Sequence, residues 1–372
     1  MTAAKSKSFA SLSLDEQIDR RRSDMRADKL DMTYGDFANM YEGKELVIAP
    51  AYQRLFRWKP GQKTRFIESI LLGIPTPAIF VAETEEGVWE LVDGLQRLST
   101  VLEFMGVLLD ADGNKVAPSV LSGTEGAELP ALEEKSFEDL SLRSRLSLRR
   151  AACRVEAVKV GSGKRMKYDL FERLNTGGAR LTDQEIRNCI FRAEAPDLMN
   201  YFDKLSLYDP FQANLGLSEL QMKSLYDRGL VLRFFALKND IESFRHDVEP
   251  FVTEYIHKIV ASPDLFNQDE EAELFKRTVS LITDVLKDEA WRHLKDGKAQ
   301  GAFSVYLFET LTLVLAEDLD AFEAMDAEEL ATRLNKVKVD ERFRAAGGSG
   351  GNTKPRLQQR LSAAREILGR SN

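Results

Sequence analysis

Apolar residues recur along this chain with two different periods, and the change of period divides it. Up to about residue 160, short apolar runs alternate with short amphipathic stretches, whereas beyond residue 190 a helical period of 3.6 holds almost throughout. In the first part, residues 46–48, 79–81, 89–92 and 154–160 read as strands, the last from the clear alternation of RVEAVKV. Residues 32–40 and 63–72 read as helices. The second carries Phe66, Ile67, Ile70 and Leu71 on one face and is stopped by Gly73, Pro75 and Pro77. Residues 83–87 form a turn that lets the strands on either side pair as a hairpin. Residues 106–136, rich in Gly, Ala, Asp and Pro, show neither period and read as a surface excursion. Apolar repeats at 230–237, 251–260, 274–286 and 303–315 predict long helices, and the glycine-rich stretch 347–352 predicts a flexible hinge before a final helix at 354–368. The expected organisation is a charged arm at 1–30, helical or partly disordered, a sheet-containing domain at 31–192, a helical domain at 193–346, and a hinge with a basic helix at 347–372. The fold class is α+β: a small mixed-sheet domain followed by an all-helical domain.

The chemistry concentrates where one period gives way to the other. In WELVDGLQRLSTVLEF, residues 89–104, a strand turns through Asp93-Gly94 into a helix with Leu98, Val101 and Leu102 on its apolar face. Such a turn leaves free backbone N–H groups and the positive end of a helix dipole beside Arg97, a site suited to an anion such as phosphate. Asp93 would then stand next to the anion, placed to hold a hydrated divalent cation or to orient a water. The competing reading is an ordinary turn with one exposed arginine. Two further segments are specialised in the same way. Tyr52, Gln53, Arg54, Arg57 and Trp58 gather two guanidiniums, an amide and two aromatic faces, suited to gripping phosphate and stacking on a base, or alternatively to anchoring a strand end in the core. Asn175, Thr176, Gly177 and Gly178 end one helix and free the backbone for close approach to a ligand. Thr182 to Glu185 then fit a capping box that opens the next helix, so the same loop also reads as a simple connection.

Composition narrows the alternatives. The chain has 372 residues and a net charge of −8, but the charge is segregated. Residues 139–192 hold 13 Lys/Arg against 6 Asp/Glu and residues 335–372 hold 9 against 3, while residues 193–334 hold 14 against 28. The basic segments suit a polyanion such as DNA, or else they pair with the acidic segment. Cys153 and Cys189 lack the spacing of a zinc site or a disulfide framework, and His246, His257 and His293 lack partners at ligand spacing. Gly61-Gln62-Lys63-Thr64 ends like a P-loop but lacks its first glycine and a feeding strand. The apolar runs are too short to span a bilayer and the polar N-terminal stretch has no signal core, so the expectation is a cytoplasmic protein without a membrane partner.

The blocks AYQRLFRW, FIESILLGIPTPAIFVAE, WELVDGLQRLST and FERLNTGGARLTDQEIRNCIF, in that order over roughly residues 45–195, resemble the N-terminal domain of GmrSD-type restriction enzymes. This is the domain of unknown function 262 family of the ParB/sulfiredoxin-like superfamily. The polar tail with its basic helix is similar to that of stand-alone members. The resemblance implies a ParB/sulfiredoxin-like fold that binds and hydrolyses nucleoside triphosphates with Mg²⁺ and serves bacterial defence against foreign or modified DNA. By that resemblance Asp93, Gln96 and Arg97 are the catalytic set, and Asp93 is the metal-holding carboxylate. Gln53, Arg54, Arg57, Gly94, Arg97, Asn175, Thr176 and Gly177 would bind the nucleotide. The family hallmark is Asp-Gly-Gln-Gln-Arg, and here Leu95 replaces the first Gln. If that position touches nucleotide, hydrolysis is weakened; if it faces the core, leucine is harmless. No His-rich block follows, so nuclease activity is not implied for this chain. The leading expectation is a nucleotide-binding, NTP-hydrolysing regulatory protein of a defence system, with DNA, a partner nuclease or another defence protein, and further copies of the chain as compatible partners. The alternative is a non-catalytic DNA-binding adaptor with a vestigial nucleotide pocket.

Overall fold

A computed structural model of the chain describes residues 12–23, 27–49, 56–110, 112–159, 181–348 and 351–369. The chain divides into two compact units, Met1–Leu181 and Thr182–Asn372. Gln53, Arg54, Asn175, Thr176 and Gly177 lie outside the described residues.

In the first unit the elements run α1 (Leu14–Ser23), β1 (Ala27–Thr33), α2 (Tyr34–Glu42), β2 (Leu46–Val47), α3 (Pro60–Leu71), β3 (Ile79–Glu83), β4 (Trp89–Asp93), α4 (Leu95–Phe104), α5 (Leu142–Arg150) and β5 (Ala152–Val158). The strands form one mixed sheet in the order β1-β5-β3-β4-β2. β3 and β4 are the expected antiparallel hairpin, while β3 runs parallel to β5 and β4 parallel to β2. Central strands are legible because both faces or one face are buried: Ile79 and Val81 in β3, and Cys153, Val155 and Ala157 alternating with Ala152, Arg154 and Glu156 in β5.

β1 departs from the sequence reading, which gave its first residues to the arm and its last two to a helix. It is an edge strand, antiparallel to β5, and its first five residues are exposed. An exposed edge has no apolar alternation to detect, and its charges (Asp28, Lys29, Asp31) guard it against further pairing. Lys29 sits opposite Glu156 at 3.6 Å. α2 therefore begins only at Tyr34, where Thr33 and Asp36 close a capping box.

Residues 106–136 are not a loose excursion. Leu108, Leu121 and Leu132 are buried. Two buried polar groups of α3 hold the stretch down: the Thr64 hydroxyl donates to the Ser122 carbonyl (2.8 Å) and accepts from its N–H (3.0 Å), and Glu68 accepts from the Leu129 N–H (2.6 Å). Anchors eleven to thirteen residues apart produce no short period, which is why composition alone suggested a free surface.

The second unit comprises α6 (Asp183–Glu194), α7 (Pro196–Ser206), α8 (Asp209–Leu215), α9 (Glu219–Lys223), α10 (Tyr226–Asp240), α11 (Val248–Ala261), α12 (Gln268–Leu286), β6 (His293–Lys295), β7 (Lys298–Gln300), α13 (Val305–Ala316), α14 (Leu319–Glu323), α15 (Ala327–Val339), α16 (Glu341–Ala345) and α17 (Lys354–Ile367). It is helical apart from the two-stranded β6-β7 hairpin, which the helical period did not foretell. Its core is rich in aromatic rings, with Phe202, Phe211, Phe234, Phe235, Phe275, Phe308 and Trp291 buried together. α10 and α13 are buried all round over residues 230–237 and 307–315 because they run through this core.

Within it lies a charged cluster. Glu309 of α13, 2 % exposed, meets both Arg233 of α10 and Arg360 of α17 (3.0 Å to the latter). Arg233 also donates to the Asn352 side chain (2.9 Å), and Arg360 to the carbonyls of Ala346 (3.0 Å) and Gly351 (2.7 Å) while resting on the Tyr306 ring. The described part of the glycine-rich stretch is thus pinned, and α17 is a core helix, packing Leu357, Leu361 and Ala364 inward. Removing one member of a buried ion pair strands the others, at a cost of about 3–5 kcal/mol. Glu309→Ala is expected to destabilise the second unit by that amount in urea unfolding, with replacement of the trio by apolar residues recovering most of the loss.

Candidate functional site

The turn between β4 and α4 is built by its glycine. Gly94 has φ 101°, a left-handed conformation, and a Cβ there would lie 2.4 Å from the buried Ile79 Cδ1. Strand therefore passes to helix in one residue, and α4 starts with no side-chain cap on its first turn. The positive end of the helix is left open next to Asp93, whose side chain is 31 % exposed.

Arg97, one turn along, is largely buried and fully engaged. Its Nη2 pairs with Asp93 Oδ2 (2.6 Å) and its Nη1 donates to the carbonyls of Pro77 (2.5 Å) and Ala78 (2.8 Å). The guanidinium thus ties the entry of β3 to the end of β4 and fixes the Asp93 carboxylate, rather than offering a free fork to solvent. Asp93 Oδ1 takes no hydrogen bond from a described residue. Gln96 Oε1 accepts from the backbone N–H groups of Arg57 (2.9 Å) and Trp58 (3.0 Å), holding the aromatic and basic segment that leads into α3. Arg57 is exposed, and Trp58 packs edge-on against Phe66 at 5.4 Å. Of the expected site residues, Asp93, Gly94, Gln96, Arg97 and Arg57 are thereby brought together through one turn.

A layer not anticipated from sequence adjoins Arg97. The Tyr34 hydroxyl and Thr76 Oγ1 are 3.1 Å apart, and the Cys153 thiol is buried with them. Burial pushes the Tyr34 phenol and the Cys153 thiol upward, and the nearby Arg97 charge only partly opposes this, so both stay neutral. These residues come from α2, the helix stop and β5, and no local pattern links them.

Leu95 is 4 % exposed and faces the core. A leucine at this position is compatible with the local packing. Lys63 of the P-loop-like tetrapeptide is spent on Glu103 (2.6 Å) and the Phe56 ring. Many cations of the basic segments also have intramolecular partners: Lys159 with Glu83 (3.1 Å) and Asp28 (3.3 Å), Arg342 with Glu366 (2.6 Å), Arg365 with Glu317 (2.6 Å) and Lys354 with Glu242 (3.2 Å). Pairing with acidic residues is what the structure displays for these side chains. Among the described residues no three His, Cys, Asp or Glu side chains group to hold a metal ion, and no helix is long and apolar enough to cross a membrane.

Residues 35–192 match the family model described as GmrSD restriction endonuclease, N-terminal domain. The match takes in β2 to β5 but not the edge strand β1, and runs on through most of α6. No curated protein and no solved structure matches the chain.

Restoring the hallmark by Leu95→Gln would bury an amide without a ready partner, at about 1–3 kcal/mol. The expected outcome is a lower melting temperature with no gain in any nucleotide-dependent activity. A variant as stable as the parent would show that position 95 reaches solvent or ligand.

Proposed function

We propose, from the premise that residues 35–192 belong to the GmrSD restriction endonuclease N-terminal domain family, that this chain binds a nucleoside triphosphate at the β4–α4 turn and hydrolyses it. The family membership suggests a role in a phage-defence restriction system. Within that role the chain acts as the nucleotide-dependent regulatory part, passing nucleotide state to a partner nuclease or another defence protein. The observation that carries the reading is the uncapped start of α4 beside an accessible carboxylate that a buried arginine holds in place.

The chemistry follows from those parts. The first N–H groups of α4 and its dipole favour a phosphate group at the turn. Exposed Arg57, with its backbone fixed by Gln96, supplies a fork for phosphate oxygens, and Gln53, Arg54, Asn175, Thr176 and Gly177 are the further contacts the sequence offers. Arg97 acts as a positioning residue for Asp93. Mg²⁺ fits this donor set, because one protein carboxylate together with substrate phosphates and retained waters is an ordinary way to hold it. When bound, the ion neutralises charge on the phosphates, and Asp93 Oδ1 is the atom to hold it or to orient a water. The alternative reading, a DNA-binding adaptor, draws less support now that many of the basic tail's charges are matched internally.

Purified protein with Mg²⁺ is expected to release phosphate from at least one nucleoside triphosphate. Asp93→Asn, which keeps the shape but not the charge, should slow release about 100-fold or more, and should also lower the melting temperature because it takes the carboxylate away from Arg97. Equal release by the variant, or no binding of any nucleoside triphosphate by the parent, overturns the assignment.

A further inference from the structure

The second unit holds a cavity of about 220 Å³ between the first turns of α6 and the facing parts of α10 and α11. That is room for roughly seven waters at about 30 Å³ each, and it falls below the roughly 300–1,000 Å³ of sites for drug-sized ligands.

Three features mark it as a site rather than a packing flaw. Gly229 lies inside α10, where glycine is the costliest residue after proline. A Cβ there would meet Gln184 Oε1 at 3.6 Å and Gln184 Cγ at 3.7 Å, both ordinary contacts. An alanine would therefore fit in ordinary contact with Gln184, and nothing in the protein demands glycine there. Gln184, 5 % exposed, also lines the cavity. Its Oε1 accepts from Arg187 Nε (3.0 Å), but its Nε2 is buried with no acceptor. Arg233, a third lining residue, shares the carboxylate of Glu309 with Arg360 and also feels the charge of Glu249.

The remaining charged lining, Asp183, Arg187 and Glu249, is two carboxylates and one guanidinium. Glu249 is held by Arg187 (2.6 Å), and Asp183 stands near both. Burial, and then the Glu249 charge, push the Asp183 carboxyl upward, while Arg187 pulls it down and Asp247 adds a further upward push. A carboxyl in that position gains from a cation or an N–H donor beside it. A plain anion would face the Asp183 carboxyl, and a plain cation would leave Gln184 Nε2 without an acceptor.

We infer that this cavity binds a small zwitterion of amino-acid size, its carboxylate on Gln184 Nε2 and Arg233 and its ammonium group on Asp183 and Glu249. The cavity is lined by residues of the second unit alone, and the inference does not rest on the reading of the β4–α4 turn.

The test is titration of the full chain with the common L-amino acids, followed by NMR and thermal shift. Carboxylic acids and amines that each keep only one charged end serve as probes of the two halves. At least one amino acid is expected to bind with Kd of about 1 mM or tighter, and the one-ended analogues at least tenfold more weakly. Gly229→Ala should raise the melting temperature through helix propensity while weakening binding, a pair of opposite effects that mere cavity filling without a ligand does not give. Gly229→Leu should abolish binding, with circular dichroism reporting whether it folds; the alanine variant carries the test if it does not. Absence of binding across the panel, equal binding of one-ended analogues, or undiminished binding by Gly229→Ala overturns the inference.

Discussion

Both units are organised by guanidiniums that have left bulk water and must be matched. A buried charge without partners costs several kcal/mol, so each arginine that goes inside dictates the position of whatever satisfies it. In the first unit Arg97 draws in the Asp93 carboxylate and the carbonyls of Pro77 and Ala78, and thereby fixes where β3 starts and β4 ends. In the second, Arg233 and Arg360 converge on Glu309 and carry the glycine-rich stretch and α17 with them. The apolar core supplies the driving force in each unit, and these pairings select one register among the packings it allows.

This changes the meaning of the most conspicuous motif. Asp93, Gly94, Gln96 and Arg97 look in sequence like a row of ligand contacts. In the fold, Gly94 makes the turn, Gln96 and Arg97 clasp neighbouring segments, and the Asp93 carboxylate with the helix start remains open. A motif of this kind is strongly constrained by architecture first, and only two of its features face outward for chemistry.

The hairpin of β3 and β4, the amphipathic α3 and α4, and the long helices were legible because one period runs through each. β1 was not, since an exposed edge strand carries no such period. Nor were the anchors of residues 106–136, whose leucines are too far apart to form one. The candidate site was legible at Asp93 and Gly94, where turn chemistry is local. It was not legible at Tyr34, Thr76 and Cys153, which meet only through the sheet. The charge segregation was visible in the counts, but its meaning was not. Pairs such as Arg365 with Glu317 connect segments far apart in the chain, and only the fold decides who meets whom.

The Glu309 cluster has a bearing on how the second unit acquires its structure. Glu309 waits for Arg360, 51 positions further along, and Arg233 reaches across 119 positions to Asn352. Contacts at such separations form late, because the intervening loop must be closed before they repay anything. Until they form, a bare carboxylate and two guanidiniums oppose burial of the surrounding aromatic core. The cluster therefore ties α10, α13 and α17 to one another, and the final packing of each depends on the presence of the other two.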